Sequence, residues 1–175
     1  MTSERARQRF LEIFAPQLDD AYSLARWLAG NASDAEDIVQ EAALRALDAL
    51  ERVEVQKPRA WALAIVRNTA LTWLARHRPG VLNFVGDLND LDAIDYRFDA
   101  PPNAEELLLA DETGARVRAA IAALPSPLKE TLVMREINGL NYKDIAEATG
   151  APLGTVMSRL ARARAAIARV LEDLR

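Results

Sequence analysis

The sequence predicts an all-α protein built as two small helical domains joined by an acidic linker. Strong β runs are absent, and Ala, Leu, Arg and Glu, all favourable in helices, dominate the chain. Apolar residues recur at steps of three and four, the period of a helix buried on one side. Between Pro79 and Glu112 the character changes: nine acids stand against Arg97 alone, apolar spacing is irregular, and Pro101-Pro102 resists helix.

Each element has its own signal. A first helical stretch covers about Ser3 to Ala29, broken or restarted at Pro16. Phe10, Ile13, Phe14, Leu18, Ala21 and Ala25 mark its inner face, and Gly30 ends it. Ser33 and Glu36 form a capping-box pattern for a helix from Asp34 to Leu50. Val39, Ala43, Ala46, Leu47 and Leu50 are its expected core face; Asp37, Gln40, Glu41, Leu44, Arg45 and Asp48 lie opposite. A polar loop, Glu51 to Lys57, leads to Pro58, which starts a helix running to about His77, roughly 30 Å at 1.5 Å per residue. The boundaries read as a domain over 1–78, a linker over 79–104 and a domain over 105–175. Helices resume near Glu105. Leu124-Pro-Ser-Pro127 marks a sharp turn, after which Ser126 caps and Pro127 starts a helix that Gly139 ends.

The stretch Asn141 to Arg164 reads as a helix-turn-helix. Asn141 caps the first helix, Asp144 suits its dipole, Gly150 supplies the positive φ of the turn, and Pro152 falls where a new helix can start. Beyond it Leu153, Val156, Leu160, Ala163, Ile167 and Val170 form an apolar stripe. Thr155, Ser158, Arg159 and Arg162 recur on another face, and residues 159–169 hold four arginines and no acid. Arginine and hydroxyl side chains suit base edges and phosphates.

Composition bounds the function. The chain has 175 residues, half of them hydrophobic, and no cysteine, which removes disulfides and thiolate metal sites. No apolar run approaches the roughly 20 residues of a membrane helix, and the N-terminus lacks a secretory signal, so a cytoplasmic location is expected. The net charge of −4 is unevenly placed: residues 79–112 carry −8, leaving +4 for the remainder. From Lys57 to Arg78 there are five Lys and Arg and no acid. Two basic segments flank an acidic middle, and local potential matters more than net charge. Catalysis on nucleic acid would need clustered carboxylates holding metal or a nucleophile–base pair. Asp34, Glu36 and Asp37 cluster, but capping and partner binding account for them. The lone His77 lies at a helix end, where the dipole favours it. No catalytic residue, metal or cofactor is expected.

The assembled motifs resemble a known family. Ser33-Asp-Ala-Glu-Asp-Ile-Val-Gln-Glu-Ala42, Pro58-Arg-Ala-Trp61, Ile65-Val-Arg-Asn68-Thr-Ala-Leu-Thr-Trp73-Leu74, Leu124-Pro125, Arg135-Glu-Ile-Asn-Gly-Leu-Asn-Tyr142 and Gly154-Thr-Val-Met-Ser-Arg159 are similar to bacterial sigma factors of the extracytoplasmic-function (ECF) type. The similarity runs in order over nearly the whole chain and is weakest in the linker. It implies a promoter-specificity subunit of RNA polymerase. The first domain would be region 2, binding the core enzyme and opening the −10 element. The second would be region 4, reading the −35 element and docking on the flap of the β subunit. The linker would thread toward the RNA exit channel, and an anti-sigma factor would commonly hold such a protein inactive.

Site expectations follow. Asp37, Gln40 and Glu41, beside Leu44, form a partner face; the resemblance directs it to the clamp helices of the polymerase β′ subunit. Arg59, Arg67, Asn68 and Arg76 are expected at single-stranded −10 DNA, where basic groups neutralise phosphates. Trp61 and Trp73 are read as core, and the resemblance gives the 51–57 loop a flipped base. In the recognition helix Thr155, Met157, Ser158, Arg159 and Arg162 are expected at the −35 element. Met157 stands where the family often has Lys or Arg, and Ala161 where a larger side chain is common. The rival is a helix-turn-helix regulator binding a two-fold operator as a dimer. Whether the two domains pack together or stay apart is left open by the sequence.

Overall fold

The computed structural model describes residues 2–79 and 112–173. The linker reading over 79–104 and the resumption of helix near Glu105 therefore lie, except for Pro79, outside the described residues. Within them the fold is all-α, with no strand.

Pro16 divides the first helical stretch as expected. Helix α1 (Glu4–Ile13) is capped by Ser3, whose hydroxyl accepts from the amide of Ala6; a 3₁₀ turn over Ala15–Gln17 leads into α2 (Leu18–Ala29). Phe14, Ala21, Leu24 and Ala25 are fully buried, whereas Leu18, expected inside, is 39% exposed because it begins the new helix after the break. Gly30 closes α2 with φ +83°.

The next cap falls elsewhere than expected. Helix α3 (Ala32–Ala49) is capped by Asn31, not Ser33: Asn31 is extended, its Oδ1 accepts from the Asp34 amide at 2.9 Å, and its Nδ2 donates to Asp34 at 2.7 Å. The left-handed turn at Gly30 delivers Asn31 in the extended geometry that a cap requires. The buried face follows, running through Ala35, Ile38, Ala42, Ala46 and Leu50; Val39, Ala43 and Leu47 are only partly buried. Helix α4 (Pro58–His77) has Pro58 in its first turn, and Ala62, Leu63, Val66, Ala70 and Leu74 are buried. Helices α2, α3 and α4 pack on one another, with α1 across α3 and α4.

The second domain comprises α5 (Glu112–Ala123), α6 (Ser126–Leu132), α7 (Tyr142–Thr149) and α8 (Leu153–Glu172). Pro127 stands in the first turn of α6, but Ser126 lies inside that turn rather than ahead of it, and no side chain caps that end. A π-helical turn over Val133–Ile137 extends α6 to the left-handed Gly139. Asn141 caps α7 by accepting from Asp144 at 2.8 Å, and Gly150 makes the turn with φ +72°. Helix α8 packs against α5, α6 and α7. Val156, Leu160 and Ala163 are buried, while Leu153 is exposed at the open end of the stripe.

The two helical groups touch. Helix α4 lies along α7, and α2 packs against α6 and the π-helical turn. One apolar cluster runs through both, from Phe14, Leu24 and Leu63 to Leu128, Met134 and Ile145. Trp61 and Trp73 pack against it half-buried, in keeping with a core role.

Candidate nucleic-acid interface

Helix α8 presents two kinds of residue on the face assigned to DNA. Met157 and Ser158 are exposed, as is Ala161; Thr155 and Arg162 are partly covered. The Ser158 hydroxyl donates to the Thr155 carbonyl at 3.0 Å. Arg159 departs from this group. Its side chain is 15% exposed and lies 4.0 Å from the carboxylate of Glu130 on α6. Burial lowers its pKa, Glu130 opposes that, and Arg67 adds to it. A residue one position from Ser158 thus points about 100° around the helix, toward the protein.

The basic helix α4 also divides. Asn68 and Arg76 are exposed. Arg67 turns inward: its Nε donates to Glu130 at 2.8 Å and its Nη2 at 3.0 Å, a bidentate pair with an acid only 1% exposed. Arg67 also donates to the Asn68 side chain at 3.1 Å. Arg59 donates to Asp20 at 2.9 Å and to the Asn138 carbonyl. The Asn138 amide donates in turn to Asp20 at 3.0 Å. Lys57 reaches Asp144 at 3.1 Å and Glu147 at 3.0 Å on α7, and these bonds, Glu147 first, raise its pKa. At the far end of α4, His77 stacks on Trp73 at 4.0 Å, with the Arg78 guanidinium 5.9 Å from the same indole.

The acidic face of α3 stands away from these contacts. Asp37 and Gln40 are exposed, Glu41 is paired with Arg45 one turn on, and Leu44 is 68% exposed between them. On the second domain, Ile121, Leu132, Val133, Ile137, Ile167 and Leu171 line an apolar groove of about 270 Å³. Glu136 and Arg164, hydrogen bonded at 2.9 Å, supply its polar lining.

Family comparison decides what these surfaces belong to. The chain matches Sigma-70 region 2 over residues 13–79 and Sigma-70 region 4 over residues 114–167. It is 34% identical over 147 residues to the RNA polymerase sigma-H factor of Pseudomonas aeruginosa, covering 82% of this chain and 76% of that one. This chain belongs to the ECF sigma factors of RNA polymerase. The ECF sigma-E factor of Escherichia coli K12 is 34% identical over 152 residues, covering 81% of this sigma factor and 75% of its relative. The SigE factor of Mycolicibacterium smegmatis is 31% identical over 153 residues, covering 87% of this chain but 58% of the longer relative. Two solved structures share the fold: RpoE of Bartonella quintana in complex with the anti-sigma factor NepR (TM-score 0.67, 22% identity, 95% and 96% of the two chains), and CnrH in complex with the cytosolic domain of CnrY (TM-score 0.68, 24% identity, 95% and 90%).

Region 2 of this sigma factor thus takes in α2 to α4, and region 4 runs from α5 into α8. Sequence reasoning missed Glu130, Asn138 and Asp20, which gather the basic residues of α4. Glu130 lies between Leu128 and Leu132 on a short helix buried on several sides, so no periodic pattern sets it apart.

Proposed function

We propose that this sigma factor directs core RNA polymerase to its promoters and opens them, with residues 1–78 engaging the core and the −10 element, 79–104 as linker, and 105–175 engaging the −35 element. The observation that carries this is the presence of both sigma regions, in order, on one chain. A dimeric operator-binding regulator has no use for region 2. The protein acts as a non-enzymatic subunit in the cytoplasm, and among the described residues no helix is long and apolar enough to cross a membrane. Control by an anti-sigma factor fits the two structural relatives, both solved with such a partner or a cytosolic domain. The apolar groove on the second domain has the size and lining for an amphipathic helix, and we assign it to the β flap. Run-off transcription with purified core enzyme tests the whole reading; no promoter-dependent transcript from any genomic fragment would end it.

Two site assignments have their own tests. Asn68 is exposed on α4, so Asn68→Ala is expected to leave the fold intact and impair opening. Permanganate reactivity of −10 thymines should fall several-fold in the holoenzyme, consistent with the few kcal/mol needed to unstack a base; normal reactivity rejects the assignment. Arg162→Ala is expected to cost about 1–3 kcal/mol in binding to a −35 duplex if the contact is bidentate to guanine. Equal loss on a scrambled duplex would assign Arg162 to phosphate instead. Arg159, held toward Glu130, is the recognition-helix residue whose DNA role needs a rotamer change.

A further inference from the structure

Three basic residues of the −10 domain are held by the −35 domain. Arg67 of α4 is clamped by the buried Glu130 of α6. Lys57 is shared by Asp144 and Glu147 of α7. Arg59 donates to the Asn138 carbonyl beyond the π-helical turn, and Asn138 reaches back to Asp20. Each is a cation that nucleic acid would otherwise neutralise, and three of their partners are carboxylates, the chemistry of a phosphate backbone. Glu130 also stands 4.0 Å from Arg159 of the recognition helix, so one acid draws on an arginine from each DNA-reading helix.

We infer that the closed arrangement is an autoinhibited state of the isolated chain, in which Glu130 and the Asn138 carbonyl of region 4 occupy Arg67 and Arg59, the phosphate-binding cations of region 2, while Asp144 and Glu147 hold Lys57 and fasten the closure. This rests on the reading of Arg59 and Arg67 as −10 contacts. The occupation is bidentate: Glu130 takes the Nε and Nη2 edge of Arg67, the same fork that a phosphate would engage. Opening the domains frees them and exposes a carboxylate that is 1% accessible when closed. Closure therefore competes with DNA without a partner protein, and whatever separates the domains activates both readers together.

The chain lacks cysteine, so dyes placed through Gln8→Cys and Ala165→Cys, both exposed positions in different domains, report the separation by energy transfer. Glu130→Gln removes the central acid. Glu147→Lys, at an exposed rim position, sets like charges opposite Lys57 and leaves the buried core alone, so it remains informative if Glu130→Gln weakens folding. Glu172→Lys, exposed at the end of α8, makes the same charge change away from the interface. Binding of a fluorescent single-stranded −10 oligonucleotide to the full chain is measured alongside. Opening is expected to lower energy transfer and tighten oligonucleotide binding about ten-fold, as when a competent state rises from roughly a tenth of the population to nearly all of it. Glu172→Lys should do neither. Unchanged energy transfer in both interface variants overturns the latch. Lower transfer without tighter binding overturns the autoinhibition. Arg67→Ala in the opened chain then separates the two readings: lost affinity keeps Arg67 as a DNA contact although closure does not mask it, and unchanged affinity rejects the DNA contact itself.

Discussion

Lys129→Met is expected to stabilise the fold by about 1–3 kcal/mol at neutral pH and to flatten its pH dependence. Lys129 lies on α6, next to Glu130 in sequence but not paired with it. Burial, and then the nearby Arg78 guanidinium, push its pKa from 10.5 down to about 8. Arg78 is itself fixed by the Ala29 carbonyl at 2.5 Å and Asp34 at 2.7 Å, so it cannot easily retreat. At about 1.36 kcal/mol per pKa unit, that depression sets a ceiling of roughly 3 kcal/mol on what the charge costs the folded state. The sign follows from proton counting. Between about pH 8 and 10.5 the unfolded chain holds a proton on Lys129 that the folded chain has released, so stability rises with pH across that window. Below pH 8 both states are protonated and the penalty is present in full. Methionine keeps an unbranched side chain, one atom shorter, and drops the charge. Urea denaturation at pH 7 and about pH 9.5 checks both parts. A variant less stable than the parent at pH 7, or an unchanged pH slope, would show that the ammonium has a partner or a water path. Because Lys129 and Arg78 sit in different domains, the same change should strengthen their contact.

Local chemistry was legible in the sequence, and long-range pairing was not. Pro16, Gly30, Pro58 and Gly150 act through the residue's own φ or missing amide and Asn141 through its capping side chain, and each of the five falls beside an element boundary. The error at Ser33 is of the same local kind: two capping residues stood within three positions, and the left-handed Gly30 favoured Asn31 by one turn geometry over another. The buried stripe of α3 also differs from the expected one: Ile38 lies inside and Val39 half-way out. The exposed Met157 and Ser158 were found because a helix face is a local property. Arg67 and Arg159 were placed on the right helices but not with their present partners. Their partner Glu130 is 63 residues from one and 29 from the other, and nothing in periodicity links such positions. Glu130 and Lys129 illustrate the remaining blind spot: adjacent charges inside an apolar stretch look like a solvated face until the tertiary contacts bury them.

Leu44→Ala is expected to weaken binding to core polymerase by about 2 kcal/mol, roughly thirty-fold, while changing stability by no more than about 0.5 kcal/mol. The asymmetry comes from where the side chain lies. Leu44 is 68% exposed on α3, so the fold gains little from it and its truncation leaves no cavity. A lone exposed leucine needs no explanation, but this one is ringed by Asp37, Gln40, Glu41 and Asp48. Glu41 and Asp48 already have partners four residues on, in Arg45 within the helix and Arg52 just beyond its end, so their charges are held in place around an apolar centre. An apolar centre with a charged rim is how a protein-binding patch is built. The two parts should fail differently. Removing the centre should speed dissociation, whereas Glu41→Arg should slow association at low salt and weaken its salt dependence, because rim charges steer encounter more than they hold the complex. Surface-immobilised core enzyme, titrated with each variant at low and high salt, separates the rates. If Leu44→Ala dissociates at the parental rate, the acidic face of α3 is a solvated surface, and the polymerase contact of region 2 must be sought on another helix.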